Sequence, residues 1–473
     1  MKSLSIKKNN TLYISFIISA FLFILSKEYG LFWDNILFGS KMGNELYNNG
    51  LFNWTMPDSF DPGHPPFLGF VLAFSWTVFE HKLWVAHLAM FPFTVGFLYQ
   101  LIQFIKYFIP KKSYVYFCFL LILLDPTVGV TLILVNPEII ILFFFFLTMN
   151  SLLYKNQKFK FIGLFFLSIV SFRSMMLFGG IFLFEIFYNL YFKKEKIGKL
   201  INVKFLISYF ISSIPGVLFV IWRLSTKGWL QTHPKSPWRD YWHLPDFNRF
   251  LKNIAVVIHR YIDFGRVFVI LFIFLSLFTI WKKLKKEREE KTKTLFLIGF
   301  VSVTWIILAC LFSTNAFGHR YFLVSYICLY IIAMFFIEII KPKKMIFTLL
   351  CLGLISGNLW EYPKRISQGW NATLGHVPYH SLRIEAIKYL NNEKIEVSNV
   401  ASFFPNYTTI DLIDLSGDLR SFSKFNGDNK YVFYSNVYNL TDEDYDSLDE
   451  NYIEIKRFQK FHIFISIYQL KIK

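Results

Sequence analysis

Long apolar runs recur along most of this chain, and short polar segments separate them. A helix needs roughly 20 predominantly apolar residues to cross the hydrocarbon core of a bilayer, so such runs are typical of transmembrane helices. We place eleven spans, at residues 11–28, 83–106, 113–125, 136–154, 158–171, 174–192, 203–223, 264–281, 294–312, 320–340 and 345–361. The pattern predicts an all-α polytopic membrane protein.

Two regions depart from this pattern. The apolar run at 67–79 has only 13 residues, so we expect an interfacial helix there and one outer loop, 29–82, between the first two spans. Beyond residue 361, polar residues alternate with β-branched or aromatic ones, as at 430–437, which indicates strands. We therefore predict a membrane domain at 1–361 and a small extracytoplasmic α+β domain at 362–473.

The composition agrees with a membrane protein. Hydrophobic residues make up 54% of the chain and charged residues 17%, against an average of roughly 25% charged in soluble proteins. This balance excludes a soluble enzyme, a coiled coil and a disordered chain. The four cysteines all fall inside apolar runs, so none is placed for a disulfide framework or a metal knuckle.

The net charge of +18 is unevenly distributed along the chain. Residues 361–473 carry a net −2 and the first 360 residues a net +20. The excess lies in short clusters between apolar runs, where the positive-inside rule places Lys and Arg, so it reports topology and contact with anionic lipid rather than nucleic acid. The clusters lie at 1–10, 106–112, 155–160, 193–204, 282–293 and 341–344.

All six clusters face the cytoplasm if an even number of spans separates each neighbouring pair, and the eleven spans satisfy this condition. The N-terminus is then cytoplasmic, whereas the outer loop 29–82 and the tail lie outside. The Asn-rich composition has a bacterial character. The expected location is therefore the bacterial inner membrane.

Asp34 is the first candidate for chemistry. It follows Trp33 at the outer end of the first predicted span, where aromatic belt residues are common. A carboxylate held at that depth can be partly desolvated, which suits a general base. The alternative interpretation is a helix-end carboxylate that faces water.

The second candidate is the stretch Asp61-Pro62-Gly63-His64-Pro65-Pro66. Its prolines and glycine stiffen a turn that holds Asp61 and His64 near each other. A carboxylate and an imidazole at that spacing can orient a substrate hydroxyl or bind a divalent metal. The alternative is a Pro-rich helix entry with an Asp turn cap.

These features resemble the GT-C glycosyltransferases. The resemblance rests on Trp33-Asp34 at the end of the first span, the long outer loop, His64-Pro65-Pro66 and the short apolar helix that follows. It is most similar to the protein O-mannosyltransferases and the aminoarabinose transferases of lipid A. The resemblance covers the topology of residues 1–361. The tail corresponds to the extracytoplasmic C-terminal domain that members of the family commonly have.

The resemblance implies an inverting transfer of a single sugar from a polyprenyl-phosphate donor. The acceptor would be a lipid-linked glycan, a lipid or a protein at the outer face of the membrane. Asp34 matches the position of the family's catalytic carboxylate. Asn35 stands where a second acid is common, which leaves the need for a divalent metal open, with Asp61 and His64 as its candidate ligands.

Departure of a polyprenyl phosphate requires cations at the outer interface, and the arginine fork suits phosphate. Snorkelling or solvation at the membrane surface is the alternative explanation for each cation. The candidates are Arg320, with His319 beside it, Arg173, Arg223, Lys235, Arg239 and Arg260.

Aromatic and polar residues of the outer segments are further candidates. Residues 225–263 form a polar outer segment in this prediction. A sugar can pack on its aromatic and imidazole rings, although an interfacial aromatic belt explains those rings equally well. Asn136-Pro137-Glu138 reads as helix capping. The rings belong to His233, Trp238, Trp242 and His243.

Two other function classes remain as alternatives. A transporter or flippase of lipid-linked sugars would show inverted repeats and ionisable groups near mid-membrane, but most ionisable residues here lie in loops. A glycan polymerase or ligase resembles the chain in span number, but its large functional loop usually falls late. A nonenzymatic assembly factor built on the tail also remains open.

Overall fold

The computed structural model describes residues 8–192, 194, 196, 203–231, 233–235, 242–280, 286–315, 317–341 and 344–471. Arg239 and Trp238, two of the candidates above, lie outside these residues. Parts of four basic clusters also lie outside them, namely 1–10, 193–204, 282–293 and 341–344.

Helices make up the membrane region. One π-helical turn lies at Ile36–Lys41 and a second one at Leu297–Val301. The helices are α1 (Lys8–Ser26), α2 (Met42–Asn49), α3 (Phe67–Val78), α4 (Leu83–Phe108), α5 (Lys112–Leu123), α6 (Pro126–Ile133), α7 (Pro137–Leu153), α8 (Gln157–Leu167), α9 (Phe172–Tyr191), α10 (Val203–Lys227), α11 (Phe247–Ile262), α12 (Arg266–Ile280), α13 (Lys286–Phe296), α14 (Thr304–Leu311), α15 (Leu323–Ile340) and α16 (Lys344–Ser356).

The described residues contain four helical stretches long and apolar enough to cross a membrane, at Leu83–Phe108, Phe172–Tyr191, Phe205–Lys227 and His319–Ile340, and they include α4, α9, most of α10 and α15. The pairs α5–α6, α11–α12 and α13–α14 bend by 77°, 87° and 41°, and if each pair is one broken span the number rises to seven. The prediction of eleven spans is therefore confirmed only in part. The other four predicted spans fall on α1, α7, α8 and α16, which do not meet this criterion, and they stay predictions.

The short helix of the outer loop is confirmed, because α3 has 12 residues. Helix α11 was not predicted, since its residues were assigned to a polar outer segment. Asp246 caps its N-terminus by accepting a hydrogen bond from the backbone N–H of Arg249 at 2.7 Å. Val256, Val257 and Tyr261 pack against the apolar core, so one face of α11 is apolar and the other polar.

The tail forms the predicted mixture of helices and strands. Its elements are α17 (Pro378–Asn392), β1 (Val400–Ser402), α18 (Asp411–Asp414), β2 (Ser423–Lys424), β3 (Tyr431–Ser435), α19 (Asp442–Asn451), β4 (Tyr452–Lys460) and β5 (Ile463–Leu470). The strands form one sheet in the order β2-β1-β3-β5-β4, in which β1 pairs parallel with β2 and β3, and the other pairs are antiparallel.

The tail shares an apolar core with the membrane region. Phe32 and three residues of the α6 segment lie in the same buried cluster as Val432 and Ile465 of the sheet. The hydroxyl of Thr127 in α6 donates a hydrogen bond to the carbonyl of Ala372 at 3.0 Å. The domain boundary at residue 361 stays a prediction.

Candidate functional site

The backbone that carries Asp34 is held by the tail. The N–H of Leu31 donates a hydrogen bond to the carbonyl of Ile413 at 2.9 Å. The ring of Phe32 stacks on His376, with 4.2 Å between the ring centroids. Trp33 adopts a φ of 53°, which is unfavourable for a bulky residue, and its ring packs on Phe404 of the tail. Contacts made by the tail therefore set the position of Asp34.

Asp34 lines a cavity with about 660 Å³ of open volume. Four other sequence candidates, His64, Arg173, Trp242 and Arg320, line the same cavity. Tyr321 forms part of its wall, together with apolar residues of α9 and α14. The fold thus brings five candidates from four separate regions of the sequence into one place.

Four charged side chains meet in this cavity. Arg320 forms an ion pair with Asp34 through Nη2 and Oδ2. The Nε of Arg320 also lies 3.4 Å from Oε1 of Glu138, and Arg173 pairs with the same carboxylate oxygen. The guanidinium of Arg173 lies 4.6 Å from the centroid of the Tyr321 ring. Two arginines and two carboxylates thus balance each other beside an aromatic face.

Glu138 is the residue that the sequence interpretation missed. The interpretation of Asn136 as a helix cap is supported, because its side-chain oxygen accepts the N–H of Ile139 at 3.2 Å. Glu138, in the first turn of α7, instead turns its carboxylate to Arg173 and Arg320, and its side chain is only 4% exposed. The sequence feature that could have indicated this role is an acid at the start of a mostly apolar helix. Such a helix is buried, and a buried acid requires a partner.

Local structure explains how the two arginines are presented. Ser171 caps α9 by accepting the N–H of Ser174, which places Arg173 in the first helical turn. Arg320 lies in a 3-10 turn, His319–Phe322, that leads into α15. Both side chains therefore project from the beginning of a helix into the same cavity.

His64 presents a neutral imidazole to this cavity. Its Nδ1 accepts a hydrogen bond from the N–H of Phe172 at 3.3 Å, so the ring proton is assigned to Nε2. Burial, together with the nearby charges of Arg173, Arg223 and Arg320, lowers the pKa of His64 to about 3. The residue can therefore donate a hydrogen bond but carries no charge near neutral pH.

Asp61 lies beside the cavity rather than in its lining. Its carboxylate is fully buried, accepts the N–H of Gly63 at 2.8 Å and pairs with Arg223 at 3.1 Å. Burial raises the pKa of Asp61, and the charge of Arg223 acts against that shift. Gly63 has a φ of +84°, and a Cβ atom there would collide with the carbonyl of Leu230. The geometry favours an anchoring role for Asp61, and its predicted contact with substrate stays a prediction.

The remaining predicted cations and rings that the structure describes do not join the lining. The imidazole of His319 faces Asp263, with 2.7 Å between Nε2 and Oδ2, and also contacts Arg260. Lys235 is exposed, and its N–H donates to the ring of His233 at 3.2 Å. Binding of substrate by His319, Lys235 and Arg239 stays a prediction.

The described residues contain no group of three or more His, Cys, Asp or Glu side chains that could hold a metal ion. The two predicted ligands are directed to different partners, Asp61 to Arg223 and His64 to the N–H of Phe172. The residues present therefore do not fit the metal site considered from the sequence. We derive no step through a metal.

The fold is similar to a known one. The chain matches a solved structure of ArnT from Cupriavidus metallidurans bound to undecaprenyl phosphate, with a TM-score of 0.51 and 10% sequence identity. The match covers 96% of this chain and 97% of that one. No family model matches the sequence, and no curated protein matches it. The comparison shows an ArnT-like fold, and membership of the GT-C glycosyltransferases, or of any branch of them, stays a prediction.

Proposed function

We propose that this chain is an integral-membrane glycosyltransferase that moves a single sugar from a polyprenyl-phosphate donor to an acceptor hydroxyl. The observation that carries the proposal is the meeting of Asp34, Arg173 and Arg320 in one cavity. A carboxylate can accept the proton of an acceptor hydroxyl, and arginines can hold a phosphate leaving group. Both parts of a sugar transfer from a phosphate donor are then supplied by the chain itself.

The shape of the cavity suits an amphiphilic donor. A second, smaller space adjoins the same Arg173 and Arg320. Apolar side chains such as Leu142, Leu177 and Val324 form most of its remaining wall. A polyprenyl phosphate also joins a charged head to an apolar chain, and the fold neighbour ArnT is seen bound to undecaprenyl phosphate.

In the proposed reaction, Asp34 accepts the proton of the acceptor hydroxyl as its oxygen attacks the anomeric carbon. The new bond joins that carbon to the acceptor oxygen, and the bond between the carbon and the phosphate oxygen breaks. Polyprenyl phosphate leaves with the bonding electron pair. Attack opposite the leaving group inverts the configuration at the anomeric carbon, and no nucleotide takes part.

The other polar groups assist this step. Arg320 and Arg173 neutralise the phosphate charge, and arginine suits this role because its planar fork donates two parallel hydrogen bonds. Glu138 holds the two guanidinium groups close together. In this proposal the Nε2–H of His64 donates a hydrogen bond to a sugar hydroxyl.

The proposal also includes a cellular location, a membrane topology and a class of acceptor. The reaction takes place at the outer face of the bacterial inner membrane, with the tail on the periplasmic side and the N-terminus in the cytoplasm. The acceptor is a lipid-linked glycan, a lipid or a protein. Labelling of cysteines introduced at Ser59 and Ser416 with a reagent that does not cross membranes tests this topology, and labelling of position 59 only after permeabilisation would exclude it.

Mass spectrometry of cell-envelope glycans and lipids, with and without the protein, tests the proposed function. We expect cells without the protein to lack one sugar on one acceptor, and the parent gene but not the Asp34→Asn variant to restore it. Accumulation of a complete lipid-linked precursor would contradict the proposal and favour transport.

A further inference from the structure

We propose that Asp34 and the donor phosphate compete for the guanidinium of Arg320, so that phosphate binding releases Asp34 to act as the base. The inference rests on the proposed function and concerns the order of events in the same cavity. It starts from the ion pair between Arg320 and Asp34. That pair joins two groups that the reaction uses separately, one for the phosphate and one for the proton.

The charges of the cavity make the competition necessary. Asp34 and Glu138 supply two negative charges, Arg173 and Arg320 supply two positive charges, and His64 is neutral. Each arginine already has a carboxylate partner. A phosphate that takes the paired donors of Arg320 for its own bidentate contact therefore competes with a carboxylate for that guanidinium.

The burial of the two carboxylates indicates which of them separates from its arginine when the phosphate binds. Glu138 is 4% exposed and pairs with both arginines, so separation from them would leave an uncompensated buried charge. Asp34 is 26% exposed and pairs with Arg320, so water or an acceptor hydroxyl can replace its partner. The exchange therefore takes place at Asp34.

The exchange has two consequences for turnover. A carboxylate oxygen held by a guanidinium has to leave that contact before it accepts a proton, so the base is released at the moment the donor is bound. After transfer, Asp34 passes the proton that it accepted to water, and as a carboxylate again it pairs with Arg320, which opposes retention of the phosphate product. Asp34 thus takes part in proton transfer and also in product release.

Binding of undecaprenyl phosphate to the purified full-length chain tests the exchange without measuring activity. We expect Asp34→Asn to bind this probe at least about tenfold more tightly than the parent, because the competing charge is gone. Arg320→Ala should bind it more weakly. In the Arg320→Ala background the Asp34→Asn change should no longer tighten binding, because the two effects act through one guanidinium.

The matched control is Asp58→Asn, which removes the same charge from a carboxylate that pairs with Lys227 outside the cavity lining. Its affinity for the probe should equal that of the parent. Asp34→Ser serves as a second variant if Asp34→Asn does not fold, and thermal unfolding of each purified variant establishes folding.

The outcomes separate the exchange from the proposed function. Unchanged or weaker binding in Asp34→Asn, alongside weaker binding in Arg320→Ala, would overturn the exchange and leave the donor site intact. Tightening that persists in the Arg320→Ala background would also overturn the exchange, because it would show simple repulsion. Failure of the parent to bind undecaprenyl phosphate would overturn both proposals.

Discussion

The outer loop 29–82 contains two carboxylates that pair with arginines, and their surroundings differ sharply. Asp34 and Arg320 are 26% and 10% exposed and line the cavity. Asp61 and Arg223 are 0% and 1% exposed, and neither belongs to the cavity lining. The same two chemical groups therefore form an accessible pair in one place and a fully buried pair in the other.

The difference lies in how completely each carboxylate is satisfied. Asp61 also accepts the N–H of Gly63, so separation of its ion pair would disrupt a tight turn. Asp34 shares its arginine with Glu138 and has access to the cavity. Because an ion pair that opens without leaving a buried charge costs less to separate, partial exposure is what makes a charge pair available for chemistry.

The largest effect on activity should come from Asp34→Asn. This change keeps the shape of the side chain but removes the proton acceptor, and a general base contributes typically about 10²–10⁴-fold in rate. We expect kcat to fall by that order in a transfer assay with a polyprenyl-phosphate sugar, while thermal unfolding stays close to that of the parent. Activity within a few-fold of the parent would assign the base elsewhere.

Arg320→Ala should have the second largest effect on activity. Removal of one partner of a buried charge-assisted contact costs about 2–5 kcal/mol. Arg320→Lys keeps the charge but loses the planar fork, so its turnover should lie between those of the parent and the Ala variant. Equal turnover per folded molecule in the parent, Lys and Ala forms would indicate an arginine that only snorkels to the membrane surface.

Glu138→Gln should have a smaller effect on the same reaction. The amide keeps the size of the side chain but no longer attracts Arg173 and Arg320 to one point, so we expect roughly a tenfold loss in kcat/KM, the size of a positioning effect of about 1.4 kcal/mol. Glu138→Asp should recover part of this loss. A Gln variant as active as the parent would show that the arginines need no shared partner.

Asp61→Asn should affect stability far more than turnover. The substitution leaves the buried guanidinium of Arg223 without its counter-charge, which costs typically about 3–5 kcal/mol for a buried pair. We expect a lower midpoint in a denaturation experiment and turnover per folded molecule within a few-fold of the parent. A large loss of turnover in well-folded protein would restore Asp61 as a substrate ligand.

The smallest effect concerns His64 and pH. Its pKa is about 3 in the fold against an ordinary value of 6.5, so the unfolded chain takes up this proton first as the pH falls. The stabilising contribution is complete above pH 6.5 and is lost progressively as the pH falls toward 3. We expect His64→Gln to lose less stability than the parent between pH 6.5 and 4.

The same comparison applies to activity between pH 6 and 8. His64 does not change its charge in that range, so the pH profile of turnover should have the same shape in the parent and in His64→Gln. A profile that changes its apparent pKa in the variant would show that His64 takes part in proton transfer.

The sequence alone determined the class of the protein, its helical membrane region and the mixture of helices and strands in its tail. Apolar runs, clustered basic residues and alternating strands are local properties, and they are visible without knowledge of the fold. Local position singled out Asp34 and His64, and the family resemblance then added Arg173 and Arg320 as phosphate ligands. All four line the cavity.

Tertiary structure decided which of these groups face one another. Arg320 pairs with Asp34 across 286 positions of the chain. Glu138, Asp263 and Arg223 also pair with residues from other segments of the chain. A local pattern shows that a charge is present but not which opposite charge the helix packing brings within a few ångströms. Because burial and pairing are created only when distant segments pack, the difference between a reactive and a structural carboxylate belongs to the fold.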